Sequence, residues 1–250
     1  VIKFMKGVIL AGGLATRLRP LTLVTNKHLL PVYHQPMIYF PLTAMKKAGI
    51  KEVLLTSSPD HSGHFANLLK AGEDFDLKLY YAVQENSKGG IAEAINLAKE
   101  FSQHEPVLVL LGDNIFTFDL QSAVKRYEQS GNKGAVVFGV HKDTQSRQYG
   151  VIEVDKAGNV LSIEEKPEYP KSDIAQTGIY IYDDTVFAKI EGLSPSARGE
   201  LEVTDLNNMY LTDGALSCEV IDWWVDAGTS FDELLAANEQ VAYMVKEGKL

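Results

Sequence analysis

The chain has 250 residues and a 45% hydrophobic share, ample for a buried core. Its 33 acidic side chains outnumber 24 basic ones, giving a formal net charge of -9 and a pI near 5.2, which argues against nucleic acid or an anionic membrane surface as the main partner. The single cysteine, Cys218, excludes an internal disulfide and fits a reducing cytoplasm, and no apolar run approaches the ~20 residues that a membrane span needs.

In chain order, the apolar run at 7–10 reads as a buried strand. A long polar loop follows as far as Pro31, and 37–49 reads as a helix closed by a glycine cap. A glycine-bearing loop between strand and helix is where an α/β sheet holds a phosphate. Gly12 and Gly13 let the backbone approach a ligand and present its N–H groups, while Arg17 and Lys27 add fixed positive charge. The loop has neither the Gly-x-x-x-x-Gly-Lys-Ser/Thr of a P-loop nor the Gly-x-Gly-x-x-Gly of a dinucleotide fold. Its length and polarity suggest a cover over a nucleoside triphosphate. The residues before Met5 carry no signal-peptide pattern and read as a start-site extension or added residues.

Further strands are expected at 52–57, 78–83, 107–111 and 135–140, with helices at 62–71, 91–101 and 119–129. This alternation predicts a parallel sheet with helices on both faces. Past Tyr149 the rhythm changes. Segments 150–154 and 160–163 flank a turn-rich hairpin loop; 177–182 and 216–221 read as strands, and 203–211 and 231–247 as helices. The second half should pack onto the same sheet, with no repeat and no linker.

Three motifs carry chemistry. Asp113, in Leu110-Leu111-Gly112-Asp113-Asn114, ends the most apolar strand, where open α/β sheets bind ligands, and is a hard oxygen ligand of the kind Mg²⁺ takes. Asp226, in Trp224-Val225-Asp226-Ala227-Gly228-Thr229, could share that ion, but read alone it fits equally the N-cap of a helix near Phe231. In Glu164-Glu165-Lys166-Pro167 a carboxylate suited to sugar hydroxyls adjoins a cation suited to phosphate, although such a charge run can equally be a solvated surface. Tyr149-Gly150 and Thr177-Gly178-Ile179-Tyr180 put aromatics beside glycines, which suits a sugar ring as well as a core. The six histidines show no ligand spacing, Cys218 lies in a strand-like run, and no Gly-x-Ser-x-Gly elbow is present.

Together these residues resemble the sugar-phosphate nucleotidylyltransferases. The likeness rests on Leu10-Ala11-Gly12-Gly13 with Thr16-Arg17-Leu18 and Lys27 to Pro31. It continues through Gln84, Gly90, Asp113, Tyr149-Gly150, Glu165-Lys166, Gly178, Arg198-Gly199-Glu200-Leu201-Glu202 and Asp226. The Gln84 segment and the Arg198–Glu202 motif are similar to the thymidylyl branch, which joins dTTP to glucose 1-phosphate to give dTDP-glucose and pyrophosphate. Uridylyl or adenylyl transfer, or a non-catalytic sugar-nucleotide-binding subunit, are the alternatives.

The resemblance implies a Rossmann-like three-layer nucleotidyltransferase fold with a mixed, mostly parallel central sheet. It implies one domain over 1–250, with a nucleotide part at about 5–140 and a sugar-phosphate part at about 141–250. Leu10, Gly12, Gly13, Thr16, Arg17, Gln84, Gly90 and Asp113 would bind the nucleotide; Asn114, Tyr149, Gly150, Glu165, Lys166, Gly178 and Tyr180 the sugar phosphate. Arg17, Lys27 and Asp113 would be catalytic, and Asp113 and Asp226 would hold Mg²⁺. A cytoplasmic homo-oligomer, dimer or tetramer, is implied as well. Two departures stand out. Ala15 occupies a position where the family usually has glycine, which carries a cost if that position needs φ > 0. The chain also stops short of a helical C-terminal extension common in the family, which puts feedback by a nucleotide-sugar end product in question.

Overall fold

In the computed structural model, residues 5–13, 15–86, 88–142 and 146–249 are described. The first half runs β1 (Lys6–Ala11), β2 (Pro31–Val32), β3 (Gln35–Pro36), α1 (Tyr39–Lys47), β4 (Glu52–Ser57), α2 (Ser62–Leu69), β5 (Lys78–Val83), α3 (Gly90–Asn96), α4 (Lys99–Ser102), β6 (Val107–Leu111), β7 (Asn114–Phe116), α5 (Leu120–Gln129) and β8 (Ala135–His141). The second half runs β9 (Gly150–Val154), β10 (Val160–Glu165), β11 (Ile174–Tyr182), α6 (Val186–Glu191), α7 (Val203–Thr212), β12 (Leu216–Ile221), β13 (Trp224–Asp226) and α8 (Phe231–Lys246).

The central sheet is mixed. Strands β6, β1, β4 and β5 pair in parallel, as does β12 with β8. Strand β11 joins the two blocks antiparallel to both β6 and β8, and the β9–β10 hairpin pairs with its start. The central parallel strands β1 and β6 are apolar along almost their whole length: Val8, Ile9, Val107, Leu108, Val109 and Leu110 are all fully buried. Strands covered on both faces need such runs rather than alternation. One face packs under α1, α2 and α5, with Leu42, Met45, Phe65 and Val124 in its core. The other packs under α3, α6 and α7, with Ile95, Phe187, Ile190 and Leu206. A third, smaller cluster joins Val32, Met37, Val225, Ala237 and Val241, and seats α8 against β13. Among the described residues no helix is long and apolar enough to cross a membrane.

The expected elements are present with shifted ends. Helix α1 begins two residues later than its sequence pattern, and Gly49 past its end takes φ +85. The helical pattern at 91–101 is split into α3 and α4 at Leu97 and Ala98. Strand β11 starts at Ile174, three residues before the expected 177. Strands β7 and β13 carry no signal of their own. Each has three residues, and they exist because they pair with each other, Trp224 with Phe116 and Asp226 with Asn114. That ribbon settles the local role of Asp226. The cap of α8 is Ser230, whose side chain accepts from the Glu233 N–H at 3.1 Å, so Asp226 is not a helix cap.

Candidate active site

The site lies at the carboxyl ends of β1 and β6. The chain leaves β1 toward β4 on one side and comes back through β6 on the other, so a crevice opens between the two strand ends. Two adjoining cavities of about 300 and 190 Å³ fill this crevice and share Arg17, Asp226, Glu200 and Thr229 on their walls. Leu10, Gly12, Gly13, Arg17, Lys27, Gln84, Gly90 and Asp113 line the first cavity. Asn114, Tyr149, Gly150, Glu165, Lys166, Gly178 and Tyr180 line the second. Thr16, exposed in the turn Thr16–Leu18, lines neither. A larger cavity of about 380 Å³ lies elsewhere, between α1, Phe116–Leu120 and the end of α8, without this concentration of cations and paired carboxylates.

The loop after β1 is tied back on itself. The Asn26 amide donates to the Ala11 carbonyl at 3.1 Å, and its oxygen accepts from the His28 N–H at 2.9 Å and from the ring Nδ1 at 2.6 Å. Thr22 Oγ1 donates to the Ala15 carbonyl at 2.7 Å. These bonds turn Lys27 inward onto Asp113, where the two form an ion pair with side chains 19% and 6% exposed. Ala15 sits at φ 46, ψ 38, in the left-handed region that favours glycine. Asn26 went unremarked in the sequence because an Asn in a polar loop has no distinguishing pattern.

Asp226 arrives from β13. The Ala227 N–H donates to the Asp113 carbonyl at 3.0 Å, so the two carboxylate-bearing backbones are joined directly. A Cβ on Gly228 would run into the Asp113 carboxylate and lie 2.8 Å from Lys27 Nζ, so only glycine lets the chain pass here. Burial alone would lower the Lys27 pKa, but Asp113 and Asp226 outweigh it and raise it above the ordinary lysine value. Burial pushes the Asp113 carboxyl up, yet the Lys27 ammonium holds it well below the carboxylate range. Asp226 is raised, first by burial and then by the charge of Asp113. His28, behind this group, is pushed down to about 3 by burial and by Lys27, and is a neutral ring.

Asn114 ties the two cavities together. Its oxygen accepts from the Gly178 N–H at 2.7 Å and from Trp224 Nε1 at 2.6 Å, and its amide donates to Asp113 Oδ1 at 3.1 Å. It lines the second cavity, and its oxygen and one amide N–H hold Asp113, β11 and β13 in register. In that cavity Glu165 accepts from Thr204 Oγ1 at 2.8 Å and pairs with Lys166 at 3.1 Å and Arg198 at 3.5 Å. Arg198 also pairs with Glu202 at 2.9 Å. Tyr149 sets its ring edge-on to Trp224, and its buried hydroxyl has no hydrogen-bond partner among the described residues. A Cβ on Gly178 would come within 2.5 Å of Asn114 Oδ1, so a side chain cannot enter the floor there. Sequence reasoning assigned no role to Lys88, Glu200, Gln176, Arg198 or Thr229, which also line the crevice. Arg198 and Glu200 belong to a motif it noticed without giving it a task.

Residues 6–243 match the family described as nucleotidyl transferase. The chain belongs to this family. Glucose-1-phosphate thymidylyltransferase from Neisseria gonorrhoeae is 46% identical over 230 residues, covering 90% of this chain and 78% of that protein. The enzyme of the same name from Mycolicibacterium smegmatis is 42% identical over 241 residues, covering 95% and 82%. A Bacillus anthracis crystal structure named for this activity, in complex with a sucrose, superposes with a TM-score of 0.89 at 42% identity and covers 94% of each chain. A UDP-glucose pyrophosphorylase complexed with UDP-glucose superposes at 0.81 with 21% identity, a likeness of fold.

A divalent metal suits the pair Asp113 and Asp226. Buried Asp113 and half-buried Asp226, whose backbones are joined through the Ala227 N–H, carry hard oxygen donors of the kind a divalent cation takes. Among the described residues no group of three or more His, Cys, Asp or Glu side chains could hold a metal by itself, so the remaining ligands would come from substrate and water.

Proposed function

We propose that the chain transfers the thymidylyl group of dTTP to glucose 1-phosphate, giving dTDP-glucose and pyrophosphate. The observation that carries this reading is the half-buried Lys27–Asp113 pair beside Asp226, which with Arg17 lines both cavities. A nucleotide in the first cavity and a sugar phosphate in the second would meet there, and the relatives named for this reaction cover most of the chain.

An oxygen of the sugar phosphate forms a bond to the α-phosphorus of dTTP. The bond from that phosphorus to the α,β-bridging oxygen breaks, and its electron pair leaves with pyrophosphate. A phosphomonoester has its second pKa near ~6, so the nucleophile is ionised at pH 7 and no general base is needed. Catalysis is then positioning and charge neutralisation. Arg17 and Lys27 would face the charge that develops on the triphosphate. Leu10, Gly12, Gln84 and Gly90 would hold the base. Glu165 would accept from sugar hydroxyls, Lys166 would meet the sugar's phosphate, and Tyr149, Gly150, Gly178 and Tyr180 would wall the ring. Asp113 and Asp226 would hold Mg²⁺, which supplies further charge neutralisation on the phosphates when bound.

The test is pyrophosphate release with glucose 1-phosphate and Mg²⁺ across dTTP, UTP, ATP, CTP and GTP. Preference for dTTP is expected. Preference for UTP or ATP would keep the chemistry and overturn the thymidylyl assignment, and no release with any nucleotide would overturn the reading as a whole.

A further inference from the structure

Gln84 is 5% exposed, directly follows β5 and lines the first cavity. An amide can face a ligand with its carbonyl or with its NH₂, and the two choices read opposite base edges. In this fold the choice is made by neighbours that can only accept. Gln84 Nε2 donates to the Gly90 carbonyl at 3.3 Å and to Glu93 Oε1 at 3.4 Å. The carbonyl end is left toward the cavity, where the missing side chain of Gly12 makes room: a Cβ there would lie 3.0 Å from Gln84 Oε1.

Glu93 does not line the cavity, yet it is held firmly. Its other oxygen accepts from Asn86 Nδ2 at 3.2 Å, and Asn86 Oδ1 in turn accepts from the Lys88 N–H at 3.2 Å. The carboxylate lies against Gly89 so closely that any side chain there would displace it. Gln84, Asn86 and Gly89 are therefore gathered around one carboxylate.

We propose that Glu93 is a positioning residue for base selection: by taking the Gln84 NH₂ it turns the Gln84 carbonyl toward the base and selects an edge that carries a ring N–H. Thymine and uracil offer that N3–H, while cytosine presents a bare N3 lone pair at the same place. Carbonyl against lone pair leaves two buried acceptors facing each other, a mismatch that a polar site rejects more strongly than a missing methyl. The inference rests on the first cavity being the base pocket.

The test compares kcat/KM for dUTP and dCTP, which share the pentose and the absence of a 5-methyl group, in the wild type, Glu93→Met, Glu93→Gln and Asn86→Ala. Glu93→Met removes the acceptor at similar volume, and the dUTP:dCTP ratio should fall about tenfold, the size expected for one lost hydrogen bond in a buried site. Glu93→Gln keeps an acceptor oxygen and should restore most of the ratio. Asn86→Ala, an exposed change that leaves the fold intact, should lower the ratio by about threefold in the same direction, and it decides the matter if Glu93→Met does not fold. A fall in kcat/KM equal for both nucleotides, or an unchanged ratio, overturns the role of Glu93. A wild type that uses neither dTTP nor dUTP overturns the base-pocket reading itself, so the two failures are distinguishable.

Discussion

The two halves of the crevice use the same residue types in opposite settings. Around the first cavity, a lysine and a carboxylate meet almost out of water: Lys27 and Asp113 are 19% and 6% exposed and share the space with Asp226. Around the second, Lys166, Glu165 and Arg198 form a looser cluster, 42%, 30% and 47% exposed. Charges in the first setting are weakly screened, and losing one partner leaves another stranded. Charges in the second are partly hydrated and exchange partners easily. The difference matches two tasks. Stabilising a transition state needs fixed charges that do not reorganise, while admitting and releasing a sugar phosphate needs groups that can move.

The comparison is tested hardest at Lys27. Lys27→Ala should lower kcat by ~10²–10³ while nucleotide affinity changes only a few-fold, since the lost contact acts mainly on the transition state. Parallel pyrophosphate-release and nucleotide-binding titrations read the split, and an unchanged kcat would remove Lys27 from the chemistry.

Acid should cost stability through His28, at the wall of the first cavity. His28 has its folded pKa pushed down to about 3, against ~6.5 in an unfolded chain. Between those values the unfolded chain binds a proton that the native ring does not, so this contribution to stability is whole above pH ~6.5 and is lost progressively as pH falls toward 3. Urea unfolding at pH 7.5, 5.5 and 4.5 should show a steeper acid loss in the wild type than in His28→Gln. Parallel profiles would show that the ring is not kept neutral by its surroundings.

At the looser end, Lys166→Ala should raise the KM for glucose 1-phosphate about tenfold, leave the KM for dTTP nearly unchanged and alter stability by less than about 1 kcal/mol. The wild-type advantage should shrink with added salt. A kcat loss as large as that of Lys27→Ala would erase the contrast between the halves. The smallest effect is expected at Ala15→Gly. An L-residue in the left-handed region costs about 1–2 kcal/mol, and glycine gives back about 0.5–1 through chain entropy, so the variant should gain up to about 1 kcal/mol, or ~2–4 °C in Tm. A lower Tm would mean that the loop needs the Ala15 methyl.

Much of this was legible in the residues. The apolar runs at 7–10 and 107–111 read as buried strands and are strands, with the glycine-bearing loop and Asp113 at their ends; that these two strands are neighbours is shown by their pairing in the fold. Ala15 stood out only through the resemblance to a family that usually has glycine at its position, and the structure gives it the left-handed conformation that glycine favours. Other features had no local signature. β7 and β13 are too short to show periodicity and exist through each other, so Asp226 read equally well as a helix cap until Ser230 was seen to fill that place. The sequence offered Asn114 as a sugar contact, and its three hydrogen bonds to Asp113, Gly178 and Trp224, partners up to 110 residues away, had no local signature. Glu93, on the face of a short helix, becomes informative only beside Gln84 and Asn86.

The sequence by itself determined the strand runs, the long glycine-bearing loop after β1 and the charged residue types along it, because burial periodicity and backbone freedom are written in neighbouring residues. Only the tertiary structure decided which carboxylates face each other, which amide end of Gln84 meets the cavity and which polar groups are already satisfied. Those properties depend on distances between segments far apart in the chain, and on how little water is left between them.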